Sequence, residues 1–368
     1  MFNLARSKND TSVMLDLLRA TAAQMVCVGH ALSFFASNLR PTSLPYMQNV
    51  GVLLFFLISG FLITYTLVER SKAPNYSFGH FFIERFARIY SGLIPALVLI
   101  AIIDGAVVAL TGDPTVLRFY TFKTMVANIF MLEGYQGVFP DIFQWSAFGS
   151  ASPLWTLGIE WQIYLFVGAL FFMARNLRSA PFLIPIAVFF GQTPIHFLFG
   201  AFQVDGVGKG LFALWLGGSL IYLALRSSTP NFTLGMIVGI GGIAGFVMTA
   251  HPGAEYNFKL YPFLAAVFFG LVAATQSTHL LASSKIERPI RFFADYSFSL
   301  YLVHHTIMYA FWTISSVRGM GAFAGSVIVS NIVAIVLANI GEKNHRKMAK
   351  SLTARMLSHD RDPVVASR

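Results

Sequence analysis

Residues 49–68 read NVGVLLFFLISGFLITYTLV, a run of 20 residues that contains no charged side chain. The hydrocarbon core of a bilayer is about 30 Å thick, so a helix needs about 20 mostly apolar residues to cross it. This stretch therefore predicts a membrane-spanning helix. Similar stretches follow along the rest of the chain, and together they indicate an integral membrane protein.

The composition of the whole chain supports the same class. Of 368 residues, 56% are apolar or aromatic and 11% are charged, and the mean hydropathy is +0.65. A soluble domain carries about 25% charged residues, so a soluble enzyme, a disordered chain and a nucleic-acid-binding module are excluded. The net charge of +10 is typical of basic cytoplasmic loops. The single cysteine, Cys27, cannot form an intrachain disulfide.

The hydropathy pattern predicts an all-α membrane protein with about ten transmembrane helices. An eleventh apolar stretch, Phe119 to Leu132, is too short to span and predicts a re-entrant or interfacial segment covered by protein. The ten predicted spans are approximately 13–36, 49–68, 89–111, 154–174, 181–199, 209–225, 232–250, 259–280, 296–316 and 320–341.

The basic residues predict the orientation of these spans. With both termini in the cytoplasm, 19 of the 26 Lys and Arg residues lie in inner segments and six lie in outer segments, as the positive-inside rule requires. Segment 112–153 is then external. Residues 1–341 form the predicted membrane domain, and 342–368 form a basic, loosely ordered cytoplasmic tail near anionic membrane lipids. We expect a multi-pass protein of the bacterial inner membrane.

Ionisable residues inside predicted spans are costly and mark candidate functional sites. Arg19 and His30 are eleven residues apart, so they lie on one side of the first helix and are separated by roughly 16 Å along its axis. This spacing favours a path through the helix bundle that Arg19 and His30 both line. The alternative is structural, with Arg19 paired to Asp16 and His30 hydrogen-bonded in the core.

Two further motifs contain candidate site residues. One motif lies near the inner surface and the other lies in the second span. Arg85 and Arg88 are three residues apart, so their guanidinium groups share one helical face and are able to hold a phosphate or diphosphate. The alternative is that both are ordinary membrane anchors. Ser59 precedes Gly60 in the second span; we interpret Gly60 as a packing residue and keep Ser59 as a site candidate.

Two carboxylates in the outer half of the bundle need a partner. Glu160 lies in the fourth span and Asp104 in the third. Either is able to orient the His30 imidazole, and Glu160 is also able to bind sugar hydroxyls; the sequence does not decide between them. His304 and His305 are adjacent, so they face different sides of a helix and cannot chelate one ion as an i, i+4 pair does. No metal is predicted.

Five sequence motifs, in this order, resemble those of the acyltransferase-3 family of membrane O-acyltransferases. The resemblance runs from residue 15 to residue 305 and includes two small departures, Thr156 in place of Ser and Phe298 in place of Tyr. The motifs are Arg19 with His30, Phe56-Leu57-Ile58-Ser59-Gly60-Phe61-Leu62, Arg85 with Arg88, Trp155 to Glu160, and Ser297-Phe298-Ser299-Leu300-Tyr301-Leu302-Val303-His304.

The resemblance implies transfer of an acyl group, most often acetyl, from cytoplasmic acyl-CoA to a hydroxyl of a cell-envelope glycan or a lipid-linked oligosaccharide. Acetyl-CoA is then a co-substrate, and the chain looks like a stand-alone member without a C-terminal hydrolase-like domain. Arg85 and Arg88, with Arg19 nearby, would hold the donor diphosphate. The acceptor glycan and the acyl chain stay open.

The same resemblance implies roles for the remaining candidates. His30 would act as general base on the acceptor hydroxyl, or would carry the acyl group transiently. Glu160 or Asp104 would orient His30 or hold the sugar. Tyr301, His304 or Ser59 would donate hydrogen bonds to the developing oxyanion. The main alternative function is a polytopic transporter or glycan flippase, which would not consume acyl-CoA.

Overall fold

The structure is a computed structural model that describes residues 9–40, 43–228, 230–276, 278, 280–315 and 317–357. The described chain is helical, as predicted. Its helices are α1 Asp10–Phe35, α2 Met47–Arg70, α3 Phe78–Thr111, α4 Pro114–Phe119, α5 Phe122–Ile129, α6 Pro140–Phe143, α7 Leu154–Arg175, α8 Ala180–Phe199, α9 Leu211–Ser227, α10 Phe232–Thr249, α11 Tyr261–Thr275, α12 Glu287–Asp295, α13 Ser297–Ile314, α14 Met320–Ile340 and α15 His345–Met356.

Each of the ten predicted spans overlaps one of these helices. Seven helical segments in the described chain are long and apolar enough to cross a membrane, so the protein is a multi-pass membrane protein. Helices α9 and α11 are apolar but shorter. The count of ten spans and the cytoplasmic position of both termini stay predictions. The seven segments are Asp10–Phe35, Met47–Arg70, Phe78–Thr111, Leu154–Arg175, Leu177–Phe199, Phe232–Thr249 and Met320–Met356.

Small residues bring the second span close to α9, as expected for Gly60. A Cβ atom on Gly60 would lie 1.9 Å from the Trp215 carbonyl oxygen, and one on Gly218 would lie 2.1 Å from the Leu57 carbonyl oxygen. Helices α2 and α9 therefore touch backbone to backbone, a packing mode that only small residues permit. This contact holds Ser59, the neighbour of Gly60, beside the indole of Trp215.

The predicted external segment folds into the short helices α4, α5 and α6. The predicted re-entrant or interfacial stretch, Phe119 to Leu132, contains the end of α4 and all of α5, and neither helix is long enough to span. Asn128 is completely buried and ties the segment together. Its amide donates to the Thr124 and Ser146 carbonyl oxygens and accepts from the Phe148 backbone N–H.

The residues after 341 are structured, so the prediction of a loosely ordered tail is wrong for 342–357. Helix α15 packs against α3. The reason is Glu342, whose carboxylate is buried and accepts hydrogen bonds from Arg88 at 3.1 Å and from the Ser299 hydroxyl at 2.9 Å. A buried carboxylate must be paired, and this pairing fixes the start of α15. The rest of the predicted tail, 358–368, lies outside the described residues.

Candidate active site

Residues from all five motifs line a single cavity between α1, α2, α3, α7 and α13. We call it the inner cavity. Its volume is about 150 Å³, and most of its lining is apolar. Its lining includes thirteen residues of the five motifs, namely Arg19, Phe56, Ile58, Ser59, Leu62, Arg85, Arg88, Thr156, Leu157, Glu160, Ser297, Phe298 and Tyr301.

One wall of the inner cavity is cationic. Arg19 contacts Asp16 at 2.9 Å, as the structural alternative predicts, and Arg88 contacts Glu342 at 3.1 Å. Arg85 has no ion pair among the described residues. The Nε atoms of both Arg19 and Arg85 are buried without a hydrogen-bond partner in the described chain. Buried polar atoms are rarely left unpaired, so this wall is suited to an anionic ligand.

The inner cavity is also lined by a chain of hydrogen-bonded polar side chains. The Trp215 indole N–H donates to the Ser59 hydroxyl at 3.1 Å, and that hydroxyl lies 2.9 Å from the Tyr164 hydroxyl. Tyr164 in turn donates to Glu160. Glu160 therefore faces the same cavity as the arginines and is held by Tyr164, one helical turn further along α7.

His30 is paired with His304, and the predicted carboxylate partner is not there. The His30 Nδ1 atom lies 3.0 Å from the Val26 carbonyl oxygen and 3.1 Å from the His304 Nε2 atom. Among the described residues, neither Glu160 nor Asp104 hydrogen-bonds to His30. The physical reason is that Glu160 is engaged with Tyr164 and Asp104 with Ser150.

The hydrogen bonds of this pair define which nitrogen atoms carry protons. The His304 Nδ1 atom lies 3.0 Å from the Leu300 carbonyl oxygen and 2.9 Å from that of Tyr301. A carbonyl only accepts, so Nδ1 of His304 is protonated and its Nε2 accepts from the His30 Nδ1–H. The neutral His30 ring then has its lone pair on Nε2, the form that a general base requires.

Asp104 positions the external segment above these histidines. Its completely buried carboxylate accepts from the Ser150 backbone N–H at 2.8 Å and from the Ser150 hydroxyl at 2.7 Å. The Ser150 carbonyl oxygen lies 2.7 Å from the His305 Nδ1 atom. His305 is therefore held by Asp104 through Ser150, and its ring centroid is 5.3 Å from that of His30.

His305 also lines a second pocket, which we call the outer pocket. It lies between the external segment and the ends of α7 and α13, and its volume is about 690 Å³. Trp155 stacks on Phe202 in its wall, with ring centroids 4.5 Å apart and an interplanar angle of 8°. The lining combines aromatic side chains with amide, carboxylate and hydroxyl groups, among them Trp145, Trp155, Phe202, Tyr309, Gln144, Gln203, Asp141 and Ser152.

A layer of side chains separates the two spaces. The Tyr301 hydroxyl donates to the Pro153 carbonyl oxygen at 3.0 Å and also bonds the Thr156 hydroxyl. Tyr301 and Thr156 line the inner cavity, whereas His30 and His304 are absent from the described lining of both spaces. The His304 ring centroid lies 6.0 Å from that of Tyr301, which lines the inner cavity, and the His30 ring centroid lies 5.3 Å from that of His305, which lines the outer pocket, so the pair lies between the two spaces.

Comparison with known proteins identifies the family. A family model described as an acyltransferase domain matches residues 13–339. The chain belongs to the acyltransferase-3 family. The match covers nearly the whole chain, including every residue of the inner cavity and of the outer pocket named above. No solved structure matches.

Curated relatives of this acyltransferase-3 protein include two named O-acetyltransferases. The peptidoglycan O-acetyltransferase OatA of Listeria monocytogenes is 26% identical over 287 residues, which are 70% of this chain and 44% of the relative. The O-acetyltransferase OatA of Staphylococcus aureus is 26% identical over 318 residues, which are 80% of this chain and 50% of the relative. The chain thus spans about half the length of the curated relatives it matches.

The acyltransferase-3 chain also contains site residues that the sequence analysis did not single out. Tyr164 is one of them, although its spacing of four from Glu160 places both on one helical face. His305 was considered only as a metal ligand. Ser150 and Trp215 had no signal in the sequence, because only the folded chain brings them to Asp104 and Ser59.

Proposed function

We propose that this protein is a membrane O-acyltransferase that transfers an acyl group, in the first instance acetyl, from acyl-CoA to a hydroxyl of an envelope polysaccharide. The observation that carries the proposal is the position of the His30–His304 pair between two unlike spaces. One space offers unpaired arginine nitrogens to an anion, and the other offers aromatic rings and polar groups. Family membership supports acyl transfer as the reaction.

The inner cavity is proposed to hold the donor. The guanidinium of Arg85, which has no counter-ion among the described residues, contributes charge-assisted hydrogen bonds to a diphosphate, and Arg19 adds a second cationic contact. The narrow apolar part of the cavity beyond them accommodates an extended pantetheine chain. Glu160 and Tyr164 then flank the thioester end of that chain.

His30 is proposed as the general base for direct transfer. Its Nε2 atom takes the proton of the acceptor hydroxyl while the hydroxyl oxygen bonds to the thioester carbonyl carbon. The carbon–sulfur bond breaks, and CoA leaves as a thiolate that takes up a proton. His304 accepts the hydrogen bond from His30 Nδ1–H throughout, so it orients the ring and stabilises the imidazolium, a task that a carboxylate performs in a serine-protease triad.

The acceptor is proposed to approach from the outer pocket. Sugar rings have apolar faces that pack on aromatic side chains, and their hydroxyls bond to amide and carboxylate groups. Trp155 and Phe202 provide the flat surface, and Gln144 and Asp141 provide polar contacts. The relative from Listeria monocytogenes is named for peptidoglycan, so peptidoglycan fragments are the first acceptors to test.

The test is acetyl transfer by purified protein in liposomes, with acetyl-CoA labelled on the acetyl group and peptidoglycan fragments as acceptor. We expect label on the glycan with wild type and a loss of about 10²–10⁴-fold with His30→Ala. The matched control is His251→Ala, which removes an exposed histidine of the loop between α10 and α11.

Donor binding separates the possible failures of this test. CoA should raise the melting temperature of both wild type and His30→Ala, because binding to the folded state alone stabilises it. Binding without transfer to any glycan would reject the acceptor class. Transfer by His30→Ala at the wild-type rate would reject the base. Glycan transport without CoA binding would replace the enzyme with the transporter or flippase.

A further inference from the structure

The inner cavity suits one end of the proposed acyl-CoA donor better than the other, and this inference rests on that proposed function. Most of the cavity lining is apolar, which suits the extended pantetheine chain better than the adenosine end with its charged ribose 3′-phosphate. This end fits better outside the cavity mouth. Arg85 marks that mouth, because it lines both the inner cavity and a larger pocket beside it.

The larger pocket, which we call the basal pocket, lies between the end of α2, the start of α3 and α15. Its volume is about 1150 Å³. Four cationic side chains line it, Arg70, Arg85, Arg346 and Lys350, whereas Glu84 is its one carboxylate among the described lining residues. Glu84 is already bound by Arg70 and by the Tyr76 hydroxyl. Arg85 and Lys350 have no ion pair in the described chain, so their positive charge is available to an anion.

Helix α15 presents a defined face to this pocket. Its lining residues recur every three or four positions, at 345, 346, 349, 350, 353, 354 and 357, which is the spacing of a single helical face. Arg346 and Lys350 lie on that face, whereas Lys347 and Arg355 do not line the pocket. The two small residues Ala349 and Ala354 leave the surface between the cations open.

Contacts at both ends hold α15 in place beside the pocket. At its start, His345 lies 2.7 Å from the Glu342 carbonyl oxygen, and the Glu342 side chain is paired with Arg88. At its end, Leu357 lies over Gly79 of α3, where a Cβ atom would be 3.3 Å from the leucine. The wall is therefore preformed, which lowers the cost of ordering a ligand on it.

We propose that α15 forms a subsite for the adenosine end of the CoA donor, in which Lys350 binds the ribose 3′-phosphate. The donor then extends from the basal pocket past Arg85 into the inner cavity. Helix α15 begins at His345, beyond residue 339 where the family match ends. The subsite is thus a feature of this chain outside the matched family domain.

The test compares CoA with 3′-dephospho-CoA, which lacks only the phosphate in question. Dissociation constants are measured by calorimetry on the full chain in lipid-free detergent, for wild type, Lys350→Ala and the matched control Lys347→Ala. We expect wild type and Lys347→Ala to prefer CoA by about tenfold, since hydrogen bonds to charged groups are strong. Lys350→Ala should reduce that preference to about threefold or less.

The outcomes distinguish this inference from the function on which it rests. Equal affinity of wild type for the two ligands, or an unchanged preference in Lys350→Ala, overturns the subsite and leaves the acyltransferase proposal standing. Absence of binding of either ligand overturns both.

A lipid phosphate has the same chemistry as the 3′-phosphate, so the measurement is repeated with phosphatidylglycerol in the micelles. If Lys350→Ala weakens lipid binding and leaves the CoA preference intact, the face binds a headgroup and the subsite is overturned. A preference for CoA that persists in phosphatidylglycerol and still depends on Lys350 supports the nucleotide subsite.

Discussion

The inner cavity and the outer pocket differ in chemistry although they belong to one helix bundle. The inner cavity is narrow and mostly apolar, and it is lined by arginines and by Glu160. The outer pocket is several times larger and combines aromatic rings with amide, hydroxyl and carboxylate groups. A phosphate-bearing thioester fits the first description and a carbohydrate fits the second.

This difference matches the proposed enzyme, which joins two chemically unlike substrates. In that proposal each substrate reaches the layer of Tyr301, His304 and His30 through a different space. The two pockets also have different supports. Ion pairs and hydrogen bonds between helices hold the inner cavity, whereas the external segment, tied down through Asp104 and Asn128, holds the outer one.

The largest effect is expected at the layer between the two regions. His304→Ala removes the acceptor of the His30 Nδ1–H bond, so the His30 ring loses its orientation and its stabilised charged form. We expect kcat to fall by about 10²–10⁴-fold, whereas the dissociation constant for CoA changes less than about twofold. His304→Gln retains a hydrogen-bond acceptor and should recover part of kcat. Loss of CoA affinity with normal kcat would place His304 in the donor site.

A large effect on stability, rather than on chemistry, is expected at Arg88. Arg88→Met leaves the buried Glu342 carboxylate without its cation, and breaking such a pair costs about 3 kcal/mol. The melting temperature in detergent should fall accordingly. The double variant Arg88→Met with Glu342→Gln removes the uncompensated charge and should recover much of the loss. A single variant with wild-type stability would mean that Arg88 serves the ligand alone.

Arg85 should behave in the opposite way to Arg88, although both belong to one motif. Arg85 has no ion pair in the described chain and its Nε atom is unpaired, so its loss costs the fold little. We expect Arg85→Met to weaken CoA binding by about 10–100-fold with kcat at saturating donor nearly unchanged. An unaltered CoA affinity would make Arg85 a membrane anchor and remove the donor from the inner cavity.

The sequence predicted the inner cavity better than the outer pocket, and the reason is physical. Helical spacing places Arg85 with Arg88 and Tyr164 with Glu160, so local geometry defines most of one wall. The outer pocket depends on contacts between residues far apart in the chain, such as Asp104 with Ser150. The sequence showed that Asp104 needs a partner, but it gave no means to choose Ser150 over His30.

The same limit applies to the segment after residue 341 and to His304. The segment after residue 341 looked like a basic tail because its composition is polar, and only the buried pairing of Glu342 with Arg88 reveals a packed helix. His304 was one of three alternatives for the oxyanion hydrogen bond, beside Tyr301 and Ser59. The turn of α13 instead places its Nε2 atom on His30.

A pH effect is expected beneath the outer pocket, at Glu133 of the external segment. Glu133 is completely buried, and neither of its carboxyl oxygens has a partner in the described chain. This burial raises the pKa of its carboxyl well above its usual value of 4.5. The contribution of the protonated Glu133 carboxyl to the free energy of unfolding is therefore complete below pH 4.5. This contribution is lost as pH rises through the pKa of Glu133 in the folded state, by up to about 1.4 kcal/mol per pH unit.

Thermal melts between pH 6 and pH 9 check this expectation. Wild type should lose stability with rising pH, and Glu133→Gln, which is neutral at every pH, should lose less. Parallel melting curves for the two proteins would show that Glu133 is ionised and paired in the folded state. In that case a buried ion pair would support the external segment, as ion pairs support the inner cavity.

The smallest effect is expected at Trp155, where the outer pocket meets the acceptor. Trp155→Ala removes one ring of the stacked pair with Phe202, and an aromatic contact of this kind is worth about 0.5–1.5 kcal/mol. The KM for the glycan should therefore rise about two- to tenfold, while the KM for acetyl-CoA stays constant. Trp155→Phe retains a flat ring, so its KM for the glycan should lie between the values of wild type and Trp155→Ala. A rise in the donor KM instead would show that the two regions are not separate, since Trp155 would then serve the inner cavity through α7.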